Sequence, residues 1–264
     1  MSPLLTLLAA AALLATQRQA RVFGGVLLGF AIAIKLWPGL LLGYFAWRRQ
    51  WGVLSGAIAC LAALVVATLA LGWGSRWSGY PAMLSARVNE RGMAGDHSIL
   101  GAVSRVLTEH TTGAATGSPA VIAPALLLGG VLVLLIAGAI QRLGTRDRLN
   151  EWIGYGLALA VLPVLLPFAW IHYWVLAMVL LVAVVRSARL RRLGRLSVVM
   201  LAVAYTLLTL ADFIAFALAE TGPSPGLLWL NAAVPLACVA MAAAVLVTRT
   251  WGEEAKGNAQ TRGA

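Results

Sequence analysis

Long apolar stretches recur along the chain and limit what it can fold into. Four of them, at 53–72, 120–140, 196–219 and 226–248, have the roughly 20 residues that a helix needs to cross a bilayer. Of the 264 residues, 61% are hydrophobic and only 11% are charged, unlike the composition of soluble globular domains. The stretches lack alternating polarity, so they predict helices rather than the strands of a barrel. We therefore predict an all-α, polytopic transmembrane helical bundle of about 7–9 membrane segments, some short or re-entrant.

The remaining apolar stretches are less regular. One of them, at 22–47, is long but is interrupted by Lys35 and Pro38, and three are short, at 3–16, 152–168 and 173–185. Proline breaks the helical hydrogen-bond ladder and pushes the preceding residue out of the helical conformation. We expect two segments, 22–34 and 38–47, that turn at Lys35–Pro38 and return the chain to the side from which it came.

Arginine residues indicate the side of the membrane on which each loop lies. They cluster in short loops between apolar stretches, and such loops face the cytoplasm by the positive-inside rule. The cytoplasmic set comprises Arg18, Arg21, Arg48, Arg49, Arg142, Arg146, Arg148 and the arginines of 186–195. The turn at Lys35, the loop 73–119 and the junction at His172 then share the outer side. We predict a multi-pass protein of the cell membrane with one polar site facing the extracytoplasmic side.

The distribution of polar residues argues against several other classes of protein. The net charge of +11 is concentrated in loops next to apolar stretches and does not indicate nucleic-acid binding. Cys60 and Cys238 lie inside apolar stretches, and His97, His110 and His172 form no metal-ligand spacing with them or with each other. The sequence therefore predicts no metal, disulfide framework or cofactor.

Lys35 and the loop 73–119 supply the first candidate site residues. Lys35 has apolar neighbours, so it is either a lysine whose ammonium group reaches the membrane interface or a cation that binds a phosphate. Asp96 or Ser98 is expected to cap a short helix beginning near Ile99. Leu100, Val103 and Leu107 would then share one face of that helix.

Further candidates carry charge or lie among aromatic residues. Asp96 and His97 are candidates to bind a sugar or a phosphate, and Arg91 and Arg105 to bind an anion. His172 lies beside Trp170 and Tyr173, so it belongs either to an aromatic belt at the membrane interface or to a functional site.

Three segments of the chain resemble motifs of glycosyltransferase family 87. Residues 24–38 (GGVLLGFAIAIKLWP) are similar to its Gly-x-x-x-Gly…Lys-x-x-Pro signature, residues 96–105 (DHSILGAVSR) to its Asn-Gln-Ser-Leu…Arg segment, and residues 169–175 (AWIHYWV) to its Ser-Trp-x-His-His-x-Val segment. The family contains polyprenyl-phosphate-mannose-dependent α-mannosyltransferases of the GT-C superfamily. The resemblance spans roughly residues 1–250 and implies a GT-C-like fold.

The resemblance also implies a reaction and roles for the candidates. The reaction would be an inverting transfer of a hexose, mannose in the family, from a polyprenyl phosphate donor to a glycolipid or glycan acceptor. Such a transfer needs a base for the acceptor hydroxyl and positive charge at the leaving phosphate. His172 and Asp96 are then the catalytic candidates. The substrate-binding candidates are Lys35, His97, Arg91, Arg105, Trp170 and Tyr173.

The sequence also departs from the family pattern. The catalytic acid of the family precedes the lysine motif, whereas no Asp or Glu precedes Glu90 here. We therefore expect the C-terminal portion of a longer GT-C-type domain at 1–250, followed by a disordered cytoplasmic tail at 251–264. The alternatives are a non-catalytic polyprenyl-phosphate-binding subunit, completed by a partner chain that carries the missing N-terminal helices, and a transporter. The lack of paired, similar halves disfavours a transporter.

Overall fold

A computed structural model describes residues 2–82, 98–108, 118–144 and 148–166, with scattered positions between 179 and 206. Every regular element in these ranges is helical, as predicted. The helices are α1 (Ser2–Gln17), α2 (Arg21–Ile34), a 3₁₀ helix (Trp37–Gly39), α3 (Leu40–Trp47), α4 (Trp51–Ala70), α5 (Gly74–Ser78), α6 (Ile99–Thr108), α7 (Pro119–Leu143) and α8 (Arg148–Leu165). The predicted tail at 251–264 and most residues beyond 166 lie outside the described part, so the total number of membrane segments stays a prediction.

Two of the described helices are long and apolar enough to cross a membrane. They are α4 and α7, which correspond to the apolar stretches predicted at 53–72 and 120–140. Large apolar side chains cover much of their outer surfaces, and Val66 and Leu134 are among the most exposed. Such surfaces are compatible with lipid rather than with water. Shorter apolar helices lie at Pro3–Gln17 and Arg21–Ile34.

The predicted break after residue 34 is confirmed. Lys35 follows α2 in an extended conformation (φ −155°, ψ 129°), and its amide makes the last helical hydrogen bond, to the Ala31 carbonyl oxygen. Pro38 then lies in the first turn of the 3₁₀ helix, where its missing amide hydrogen breaks no bond. The helix therefore stops at Lys35, and the chain resumes as α3 at Leu40.

Helices α2 and α4 run parallel and approach each other closely at glycine residues. A Cβ atom on Gly25 would collide with the Val53 carbonyl oxygen, and one on Gly56 would collide with the Val22 carbonyl oxygen. Further along both helices, a Cβ atom on Gly29 would lie 2.8 Å from the Cβ atom of Cys60. Because the residue numbers of the contacts increase together along both helices, the N-termini of α2 and α4 lie at the same end.

Parallel packing requires the chain to travel back between α2 and α4. The break at Lys35 and the short helix α3 make this return. Helix α1 packs antiparallel to α2, because a turn of only three residues joins the two helices and they contact each other extensively, for example at Gly24, Ala12 and Thr16. The turns after α1 and after α3 are therefore at one end of the bundle, as predicted for segments 22–34 and 38–47. We call this end the arginine end, since it carries Arg18, Arg21, Arg48 and Arg49.

The turns after α1 and α3 have the same backbone geometry. The Ala20 amide donates to the Ala15 carbonyl oxygen, and the Gln50 amide donates to the Phe45 carbonyl oxygen, both at 2.9 Å. These bonds are 30 residues apart along the chain (20 to 50 and 15 to 45). Each turn places a non-glycine residue in the left-handed region, Gln19 at φ 66° and Arg49 at φ 54°. This is the hydrogen-bond pattern of a Schellman helix ending, in which glycine is the usual left-handed residue.

Helices α7 and α8 bring further arginines to the same end. Asn150 donates from Nδ2 to the Leu143 carbonyl oxygen at 2.8 Å and so ties the start of α8 to the end of α7. Gln17, at the end of α1, donates from Nε2 to Glu151 at 2.9 Å and to the Arg148 carbonyl oxygen at 3.2 Å. Arg142 and Arg148 therefore lie near the turn after α1, in agreement with the predicted grouping of basic loops.

Helix α8 lies at the centre of the described bundle. Its residues from Ile153 to Leu162 are almost continuously buried. Tyr155 donates its hydroxyl hydrogen to the Ala9 carbonyl oxygen at 3.0 Å, and its ring contacts Tyr44 and Phe45 at centroid distances of 5.5 and 5.7 Å. One helix thus contacts α1 and α3. The core therefore joins the N-terminal hairpins to the later helices.

We expect Gly25→Ala to destabilise the protein by about 3 kcal/mol, since a methyl group there meets rigid backbone rather than a movable side chain. Gly130→Ala in α7 is the matched control, because a Cβ atom there has no described atom within 4 Å. Its expected effect is neutral or stabilising by up to about 1 kcal/mol. Unfolding by sodium dodecyl sulfate in mixed micelles measures both. Equal midpoints for the two variants would contradict the parallel packing of α2 on α4.

Candidate functional site

Lys35 lies at the end of the bundle opposite to the arginine end. It is half-buried, between the exposed side chains of Ile34 and Leu36. The 3₁₀ helix that follows packs its Trp37 side chain into the core. Lys35 is outside both membrane-length helices and is partly shielded by the protein. Because a partly desolvated cation binds an anion more strongly than a hydrated one, this position favours a phosphate ligand.

The start of α6 is fixed by a buried serine. The Ser98 hydroxyl oxygen accepts a hydrogen bond from the Gly101 amide at 2.9 Å, so Ser98 caps the helix as predicted. The helix places Leu100, Val103 and Leu107 on one face as predicted, but that face is buried only in part: Val103 is buried, Leu100 is half-buried and Leu107 is exposed. The buried apolar side belongs to Ile99, Ala102 and Val103, because the start of α6 is the part packed against α7 and α8.

The start of α6, the middle of α7 and the end of α8 meet at similar depth in the bundle. A Cβ atom on Gly129, in the middle of α7, would lie 3.9 Å from Ile99 and 3.6 Å from Leu165. The start of α6 and the end of α8 therefore converge there. Helix α8 also contacts the 3₁₀ helix that follows Lys35. From the helical rise of 1.5 Å per residue, Lys35 and Leu165 lie roughly 20 and roughly 25 Å along their helices from the arginine end.

We use the name Lys35 site for the part of the bundle at this depth, which includes Lys35, the 3₁₀ helix Trp37–Gly39, Ser98 and Leu165. Two predicted segments directly adjoin it in the sequence: Asp96 and His97 precede Ser98, and residues 169–175 follow α8 closely. Beyond them, Leu180 lies against Gly156 of α8. The described part of the chain contains the lysine motif at 24–38 and the segment at 96–105 from Ser98 onward, whereas the segment at 169–175 lies outside it.

Most of the predicted site residues lie outside the described part of the chain. These are Arg91, Asp96, His97, Trp170, His172 and Tyr173. Arg105 lies in α6, although its side chain is not among those described. Among the predicted site residues, Lys35 is thus the one for which the structure describes both the backbone and the side chain. The roles of the other residues stay predictions.

The sequence reasoning missed one buried polar residue. Ser104 in α6 is almost fully buried, directly before Arg105. A hydroxyl group in an otherwise apolar helix face was the available signal, but serine tolerates both buried and exposed positions. Ser98 and Ser104 make the inner side of α6 more polar than the leucine spacing predicts.

The described acidic side chain lies at the arginine end and not at the Lys35 site. Within the described residues Glu151 is the sole acidic residue, and it lies at the arginine end, bonded to Gln17. The described groups at the Lys35 site are therefore suited to holding an anion. A carboxylate for acid–base chemistry is not among the described residues there, and Asp96 is the acidic residue nearest in sequence to Ser98.

Comparison with known families decides the assignment. The profile of glycosyltransferase family 87 matches residues 1–167. The chain belongs to glycosyltransferase family 87. The family 87 match includes the lysine motif at 24–38 and the segment at 96–105, and it ends before the segment at 169–175.

A relative with an assigned activity is found in Mycolicibacterium smegmatis. It is the polyprenol-phosphate-mannose-dependent alpha-(1-2)-phosphatidylinositol pentamannoside mannosyltransferase, 31% identical over 200 residues. The alignment covers 69% of this family 87 chain and 44% of the relative, so the chain spans less than half the length of that protein. No solved structure matches the chain. Family membership and the two long apolar helices identify a membrane protein.

We expect Ser98→Ala to lower the free energy of unfolding by about 1–2 kcal/mol, because it removes a buried helix cap. Ser118→Ala is the matched control, since Ser118 caps α7 from an exposed position with a longer bond of 3.3 Å. Its expected cost is below about 0.5 kcal/mol. Detergent unfolding followed by circular dichroism measures both. A Ser98 variant as stable as the Ser118 variant would show that α6 does not depend on its buried cap.

Proposed function

We propose that this family 87 chain takes part in hexose transfer from a polyprenyl phosphate donor to a glycolipid or glycan acceptor in the membrane, with mannose as the sugar. Membership of the family and the activity named for the mycobacterial relative support this proposal. The observation that carries it is the position of Lys35, a half-buried cation within the lysine motif of the matched family, at the end of the bundle opposite to the arginine end.

The proposed reaction exchanges one bond at the anomeric carbon. The acceptor oxygen forms a bond to that carbon while the bond from the carbon to the phosphate oxygen breaks, with inversion. The acceptor proton passes to a carboxylate base, and polyprenyl phosphate leaves with one additional negative charge. Because this charge develops at the phosphate, fixed cations there lower the barrier.

The candidate residues for these steps are assigned either to the base that takes the acceptor proton or to the cations at the leaving phosphate. Lys35, Arg105 and His172 are assigned to the leaving phosphate, and Asp96 to the base. Arg91, His97, Trp170 and Tyr173 are assigned to the remainder of the substrates, through charge and ring contacts. Lys35 has the strongest support, since its half-buried position strengthens its interaction with an anion.

A second candidate function is binding of the donor without turnover, in a subunit completed by a partner chain. The observation in its favour is the scarcity of acidic residues: none precedes Glu90 in the sequence. In that case Asp96 would not act as a base. Measuring donor binding and sugar transfer separately distinguishes the two functions.

We expect Lys35→Gln to reduce sugar transfer from polyprenyl phosphate mannose roughly 100-fold, since it removes one charge from the developing phosphate dianion. Lys35→Arg should retain more of the activity because it keeps the charge. Arg142→Gln, which removes a cation from the arginine end, is the matched control and should transfer like the wild type. The assay uses membranes containing the full chain and radiolabelled donor.

The outcomes separate the two functions. If Lys35→Gln transfers like Arg142→Gln, the assignment of Lys35 is wrong. If the wild type binds the donor but transfers nothing, the second candidate function replaces the first.

We also propose that the Lys35 site faces the extracytoplasmic side, because basic loops favour the cytoplasm. In a variant lacking Cys60 and Cys238, Ser75→Cys should react with an impermeant maleimide in intact cells, since Ser75 is exposed just beyond α4. Gln19→Cys, exposed at the arginine end, should react only after permeabilisation. The reverse pattern would invert the proposed orientation.

A further inference from the structure

Four arginines at the arginine end form one surface rather than two separate loops. Arg18 and Arg21 flank the turn after α1, and Arg48 and Arg49 lie in the turn after α3. The turns are in direct contact, because the Arg21 side chain lies over Gly52: a Cβ atom there would be 3.0 Å from the Arg21 Cβ atom. We call these residues the paired arginine turns.

The charges of the paired arginine turns are open to a ligand. Arg18, Arg21 and Arg49 are exposed, and Arg48 is half-buried with its guanidinium carbon 6.0 Å from the centre of the Tyr44 ring. Arg21 donates from Nη2 to the Gln19 side-chain oxygen at 3.2 Å, a neutral partner that leaves its charge in place. Glu151, the sole acidic residue in the described part of the chain, accepts a hydrogen bond from Gln17.

Exposed aromatic and apolar side chains surround the paired arginine turns and point to the kind of ligand. Trp47 and Trp51 are 41% and 66% exposed, and Phe23 is 58% exposed. Tryptophan beside arginine is typical of the headgroup layer of a membrane, where the ring meets lipid and the guanidinium meets phosphate. A nucleic acid or an acidic peptide would leave these large apolar surfaces in water.

We propose that the paired arginine turns bind the headgroup of an anionic phospholipid in the adjacent leaflet. The guanidinium groups of Arg21 and Arg49 hold the phosphate, and Trp47 and Trp51 lie along the lipid beneath it. This site is separate from the Lys35 site, and it does not depend on the proposed sugar transfer.

The test is lipid binding to the purified full chain in detergent, followed by native mass spectrometry during titration with phosphatidylglycerol or phosphatidylcholine. The wild type should bind phosphatidylglycerol more tightly. Arg21→Gln/Arg49→Gln should weaken that binding roughly 30-fold, since each basic residue near an anionic surface contributes about 1 kcal/mol and 1.4 kcal/mol is tenfold. Arg142→Gln/Arg186→Gln removes the same charge from two exposed positions outside the paired arginine turns. Because neither guanidinium group contacts the headgroup in the proposed site, this variant should bind within about threefold of the wild type.

The repeated turn supplies a second pair of variants that preserve the fold. Arg49→Gly and Gln19→Gly both place glycine at a left-handed position, but only the first removes a charge. Arg49→Gly should weaken binding roughly fivefold, and Gln19→Gly should leave it unchanged. Equal binding of the two phospholipids, equal losses in both double variants, or equal behaviour of the two glycine variants would each overturn the proposal.

Discussion

The close approach of α2 to α4 determines the rest of the described architecture. Gly25 and Gly56 allow backbone to lie against backbone, with no room for a Cβ atom. Such contacts are a common means of helix association in membranes, where apolar side chains gain little by leaving lipid. Because the two helices are parallel, the chain must return between them. The break at Lys35 and the short α3 accomplish this return, and they leave a cation at the turning point.

The two ends of the bundle therefore have different tasks. At one end, arginines and exposed tryptophans form a surface suited to headgroups. At the other, the capped start of α6 and the end of α8 converge on the middle of α7, and a half-buried lysine lies at similar depth. Family 87 membership connects this second end with the family, since the motif that contains Lys35 lies within the matched residues. The separation of the two ends by roughly 20 Å, about two Debye lengths at physiological ionic strength, would keep the two proposed anion sites independent.

Much of the fold followed from the sequence, because membrane helices are governed by length, apolarity and charge. The break at Lys35 was predictable from Pro38, and the grouping of basic turns from the distribution of arginine. The parallel pair was not, since glycine at 25, 29 and 56 has no partner until the helices are placed. Ser98 was predicted as a cap, but the buried face of α6 depends on contacts with α7 and α8 and not on leucine spacing. The same limit holds for the site: charge and motif located Lys35, whereas the geometry of the distant motifs depends on tertiary packing.

The lengths of the packed helices, and their order along the chain, also bear on how this region assembles. Helix α2 has 14 residues and α3 has 8, both short of a bilayer crossing. Helix α4, with 20 residues, is long enough to cross by itself. The surface on which α2 docks is thus synthesised after α2 itself, so the packing of α2 on α4 forms only once α4 is in place.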